Sequence, residues 1–308
     1  MGCFTATGVD PAEIKLEPMD AYFGDRNLDC ITCVADSSKS LEDKYFLFET
    51  TDFAGTITEY YCWYSAGTGS DPALSGKTGV SVTIVVDDSA SAVATKTQAA
   101  LDALATMESA VGTGSDNSKF TIKQISMGAV TAAADGAAPT GFTFANDRAG
   151  SKEFLGGTED VEASFDQSLV DVKSSQTGDI LLSQLVSSVS ATVSFGLLEL
   201  TAARWSSIVG SVMGANKTKG SDVLTGVGKG SVGKNLLTAG KELLLKPVNS
   251  SNDDRNITFF RTAPAPSSVS FSGTEISTMS VDFNCYLNDD VDDDINLYAF
   301  GDSFNKLA

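Results

Sequence analysis

The sequence predicts a mainly β protein: two packed antiparallel sheets, as a sandwich or partial barrel with one helix, interrupted by a small α+β domain. Three observations carry that prediction. Residues 183–197 alternate, with Leu185, Val189, Val193 and Phe195 opposite Gln184, Ser188, Ser190, Thr192 and Ser194, and a period of two sustained this long is a strand signal. Residues 279–287 repeat the pattern, setting Met279, Val281, Phe283, Cys285 and Leu287 against Ser280, Asp282, Asn284 and Tyr286. Residues 89–108 recur instead at helical spacing, through Val93, Thr97, Ala100, Leu101 and Leu104, and polar runs at 37–43 and 145–153 bracket that region. A chain of 308 residues, 42% hydrophobic, is long enough to bury two cores. The boundaries fall at 36/37 and 150/151: a discontinuous β domain of 1–36 and 151–308, and an inserted α+β domain of 37–150.

Taken in order, IKLEPMDAYFG (14–24) reads as an edge strand, with Pro18 where an edge or turn tolerates it. Inside the bracket, YFLFET (45–50), ITEYYCWYS (57–65), VSVTIVV (80–86) and KFTIKQI (119–125) are aromatic and β-branched strands. Asp88 or Ser89 can cap the helix between the last two. Beyond 153, Val161, Ala163 and Phe165 alternate with Asp160, Glu162, Ser164 and Asp166, which gives a strand an apolar face for the core and an acidic face for water. LTAARWSSIVG (200–210) reads as a short helix capped by Thr201 and stopped by Gly210. Residues 214–235, rich in Gly, Ser and Lys, read as a long exposed loop. KELLLKPV (241–248), NITFFRT (256–262) and 268–287 return to strands.

Composition excludes several function classes. A net charge of −19 makes attraction to nucleic-acid phosphate an unfavourable binding mode. The chain has no histidine, so it lacks the commonest general base and metal ligand, and its serines and threonines have no evident activating base. No enzyme, cofactor or metal is expected. Five cysteines are an odd and sparse set, which reads as reduced thiols. Cys30 and Cys33 form a lone C-x-x-C without the second pair that zinc needs. No apolar run reaches the ~18–20 residues of a bilayer span, no signal-peptide pattern follows Met1, and Ala6 stands where a myristoylation signal wants Ser or Thr. A soluble chain made in the cytoplasm is expected.

Three near-motifs fail on inspection. GKGSVGKN (228–235) approaches a phosphate loop, but Asn235 replaces the hydroxyl residue that would ligate Mg²⁺, and SGKTG (75–79) has Asp71 in place of the first glycine. Asp289, Asp290, Asp292, Asp293 and Asp294 resemble part of a calcium loop, yet Ile295 and Gly301 occupy the positions of its obligatory Gly and Glu. A solvated turn or a charge partner for another subunit fits that cluster better. Its counterpart is a basic stretch, Lys217, Lys219, Lys229 and Lys234, on an otherwise acidic chain.

Residues 156–210, GGTEDVEASFDQSLVDVKSSQTGDILLSQLVSSVSATVSFGLLELTAARWSSIVG, resemble the major tail tube proteins of tailed bacteriophages. A Gly-Gly is followed by a strand, an Asp- and Gln-rich connection, a strand of Val and Ser/Thr, and a short helix. The likeness continues through 241–266, the final strand and its Asp-rich turn, and IKLEPMDAYFGDRNL (14–28). Residues 60–86 and the Ala-rich helix after them resemble a small domain recurring in phage virion proteins. The likeness implies orthogonal sheets with one helix, and six copies closing into rings that stack into a tube for DNA. Terminator, baseplate and sheath proteins are the implied partners, DNA passes without specific binding, and the location is the virion. Asp160, Glu162 and Asp166 then become candidates for the lumen wall, and the Lys217, Lys219, Lys229 and Lys234 stretch and the 289–294 aspartates for contacts between subunits. The alternatives are a terminator or baseplate tube component, or a surface-binding module that uses the insert.

Overall fold

The computed structural model of the chain describes residues 19–174, 180–198, 201–210, 215–219, 222–248, 255–270, 278–288 and 296–301. It is mainly β, built mostly of antiparallel strand pairs with few helices. The chain divides into a larger unit that ends at Tyr22 and resumes at Phe154, and a smaller unit of Phe23–Glu153. Among the described residues no helix is long and apolar enough to cross a membrane.

Strand β1 (Met19–Asp25) comes first. The smaller unit then runs β2 (Leu28–Thr32), β3 (Tyr45–Thr51), β4 (Ile57–Ser65), β5 (Thr78–Thr83), α1 (Ala90–Asp102), β6 (Met107–Val111), β7 (Lys119–Gln124), β8 (Ala134–Asp135) and β9 (Thr143–Arg148). Two four-stranded sheets result, ordered β6-β7-β2-β9 and β5-β4-β3-β8. Alternation aims Ile31, Phe120 and Ile122 from the first sheet, and Phe46, Phe48, Tyr60, Cys62 and Tyr64 from the second, into one core. Val93, Ala94 and Leu101 of α1 close it. Ser89 caps the helix by accepting the Ala92 N–H, and the Tyr64 hydroxyl meets that of Thr97 at 2.9 Å inside the core.

The predicted boundary at 36/37 is corrected to 22/23. Strand β2 is hydrogen bonded on one side to β7 and on the other to β9, so residues 28–32 are the centre of a smaller-unit sheet. Its sequence, LDCIT, is too short and too mixed to announce itself, and the same holds for MESAV of β6. The chain enters and leaves this unit at adjacent points, since the Asp25 N–H donates to Ser151 Oγ at 3.2 Å.

The larger unit continues with β10 (Ser151–Ser174), β11 (Ile180–Leu197), α2 (Ala202–Trp205), β12 (Ala215–Lys219), β13 (Asp222–Gly226), α3 (Leu236–Ala239), β14 (Lys241–Pro247), β15 (Ile257–Ser270), β16 (Thr278–Cys285) and β17 (Tyr298–Phe300). Its sheet is ordered β14-β1-β10-β11-β16-β15-β17, and β14 also pairs with β15. Six strands therefore form a closed circuit, a barrel where the sequence predicted a sandwich or partial barrel. The predicted alternation fills its interior: Val193, Phe195 and Leu197 face Met279, Val281 and Phe283, and the Phe195 and Phe283 rings stack at 5.2 Å.

One further expectation is revised and another is borne out in finer detail. Residues 214–235 contain a paired hairpin, β12 with β13, in which Lys219 stands opposite Asp222. The 200–210 helix makes one α turn, with Thr201 Oγ1 accepting the Arg204 N–H, and then widens to a π turn over Ser206–Gly210 that buries Ile208 and Val209.

Candidate functional site

The ladder between β10 and β11 sorts the acidic residues of the first strand. Glu159 stands opposite Gly196, Glu162 opposite Ser194, Ser164 opposite Thr192, Asp166 opposite Ser190 and Ser168 opposite Ser188. Because partners across a ladder share a face, these side chains line one surface, away from buried Val193 and Phe195. The next strand extends it, with Ser280, Asp282 and Asn284 opposite Gly196, Ser194 and Thr192. The result is a three-stranded face of hydroxyls, one amide and four carboxylates, Glu159, Glu162, Asp166 and Asp282, and no lysine or arginine stands on it. Glu159, Glu162, Asp166, Thr192 and Asn284 are exposed.

Two of the three predicted lumen residues, Glu162 and Asp166, thus fall on one face. Asp160 does not. It sits at positive φ (50°) in a bulge where the register jumps from Glu159 to Glu162, so Asp160 and Val161 together oppose Phe195. Glu159 and Asp282 join the face instead. Asp282 was legible in its own strand pattern, but its position in line with Glu162, across Ser194, depends on strand order, which one sequence does not give. Phe165, expected in the core, keeps the inward side of Ala163, opposite buried Ala191, but lies farther along the strand and is 38% exposed. It packs at the barrel's mouth, 4.4 Å from the Tyr298 ring and stacked on Phe259.

Beyond Phe165 and Ala191 the two strands continue as a hairpin arm. Register with β16 stops at Thr192, so among the described residues no strand stands beside the outer edge of β11 from Ile180 to Ala191. Among the described residues β1 spans seven against the 24 of β10, so most of that second edge has no described strand beside it. Within the arm, Leu169 pairs with Val186 on one face and Val170 with Leu185 on the other. All four are more than half exposed, and Leu181, Val189 and Val172 are open as well. The root of the arm is held firmly. Gly156 lies at φ +107°, and a side chain there would collide with Arg204, whose guanidinium donates to the Leu155 carbonyl and lies over the Phe154 ring.

The other predicted sites are placed less completely. Lys217 and Lys219 belong to β12, and Lys229 and Lys234 are exposed on the segment that follows β13. Asp289, Asp290, Asp292, Asp293 and Asp294 lie outside the described residues. Asn235 of the near phosphate loop is a helix cap, its side chain accepting the Leu237 N–H. Of the C-x-x-C pair, Cys33 is buried in the smaller unit's core, where burial pushes its thiol up to about 12, and Cys30 is only half-buried. Burial likewise raises the Cys62 thiol, and that of Cys285 to about 12. These thiols are poor nucleophiles at neutral pH. Among the described residues no group of three or more His, Cys, Asp or Glu is placed to hold a metal ion.

Neither a scan against protein-family models nor a search of curated proteins returns a match to this chain.

Proposed function

We propose that this chain is a structural building block of a bacteriophage-type tail tube, which closes with five further copies into a ring and stacks ring on ring around a channel for DNA. The observation that supports this reading best is the arm: a two-stranded hairpin with exposed apolar side chains on both faces and, among the described residues, no strand along most of either edge. Such a hairpin is marginal in water, and open edges invite pairing with another chain. A head-to-tail contact that sets the β10 edge of one copy against the β11 edge of the next removes both edges and closes when the rotation closes. Covering each half-exposed apolar side chain contributes about 1 kcal/mol, against the entropic cost of association.

The hydroxyl and carboxylate face fits the wall of such a channel. It lies on the same strands as the arm, and its four carboxylates repel phosphate, so DNA slides past without sticking. Terminator and baseplate proteins at the two ends, and a sheath in a contractile tail, are the corresponding partners, and the virion is the site of action. Negative-stain electron micrographs of the purified full-length protein test the reading. Rings or tubes with an open lumen are expected; monomers at every concentration and salt level overturn it.

A further inference from the structure

We draw no further inference here: the strongest candidate, the exposed apolar patch of Val34, Val85 and Val86 on the smaller-unit loops joined by the hydrogen bond from the Asp36 N–H to the Asp88 carbonyl, carries nothing because nothing in the structure shows what covers it.

Discussion

The smaller unit and the arm of the larger one use alternating strands to opposite ends. In the smaller unit every inward position meets another: Phe46 touches the rings of Phe120, Phe142 and Phe144, and α1 seals the core. Its buried carboxylates are satisfied within the unit, as with Asp29, which accepts from Asn27, Asn146 and the Ala133 N–H. In the arm the same alternation leaves Leu169, Val170, Leu185 and Val186 in water on both faces. A period of two therefore identifies a strand without saying whether its apolar face is covered inside the chain. One region is complete as a monomer, and the proposed association would complete the other.

The largest expected effect comes from breaking the arm. Replacing Val170 and Leu185 together by Asp puts two charges side by side on one arm face, and assembly should be lost. The barrel should be untouched, because neither residue is buried. Sedimentation velocity reads the first outcome and thermal melting the second. Tubes of normal length from this variant would show that the arm is not an assembly surface.

The second test concerns the completeness of the smaller unit. Excising residues 26–150 and joining Asp25 to Ser151 with a short Gly/Ser linker removes that unit at adjacent points, so a folded, assembling barrel is expected. Excising 40–150 instead strands β2 without β7 and β9, and exposes Ile31; that product should aggregate. Equal behaviour of the two deletions on size-exclusion chromatography would contradict the 22/23 boundary.

A smaller effect should appear in acid. The Glu42 carboxyl lies below its usual range because the Thr68 hydroxyl donates to it, aided by the Ala66 and Thr68 N–H groups, and Asp71 is lowered by the Tyr61 hydroxyl. A carboxyl lowered in the folded state contributes fully above its unfolded value and loses that contribution as pH falls through the folded one. The smaller unit's melting temperature should therefore hold from neutral pH to about 5 and decline below about 4. Glu42→Gln should flatten part of that decline, and a melting curve indistinguishable from the parent's at pH 3–4 would count against these turn contacts.

Much of the fold was legible because its strongest signals are local. The strands at 45–50, 57–65, 119–125 and 183–197 are dense in β-branched and aromatic residues, and each is a strand in the structure. The failures are non-local. Strand β2 is defined by its two neighbours rather than by LDCIT, and barrel closure rests on the β14–β15 pairing. The β12–β13 hairpin hides in a Gly- and Lys-rich run with no apolar face. At the candidate site, strict alternation placed Asp160 with Glu162, and the bulge overturned it. Asp282 reached the face through strand order, across more than a hundred residues of sequence.

The acidic face gives the finest test, because its effect should fall on transit and leave assembly alone. Glu162 and Asp166 are exposed and Asp282 is half-buried, and all three point away from the barrel interior. Changing them to Lys should leave the strands paired and, if the arm drives association, should leave the tubes intact. What changes is the sign of the wall. Each copy loses three negative charges and gains three positive ones, and the proposed ring would multiply that change around its channel. Lysines lining a channel bind phosphates with release of counterions, and that attraction weakens steeply with salt. Variant tubes should therefore retain DNA at low salt and release it at high salt, whereas the parent releases it at both. Asp160→Lys alone supplies the control, since Asp160 sits in the bulge and off the face; it should behave as the parent. If the triple variant releases DNA like the parent at low salt while its tubes still form, the acidic face looks outward and the channel is lined by something else.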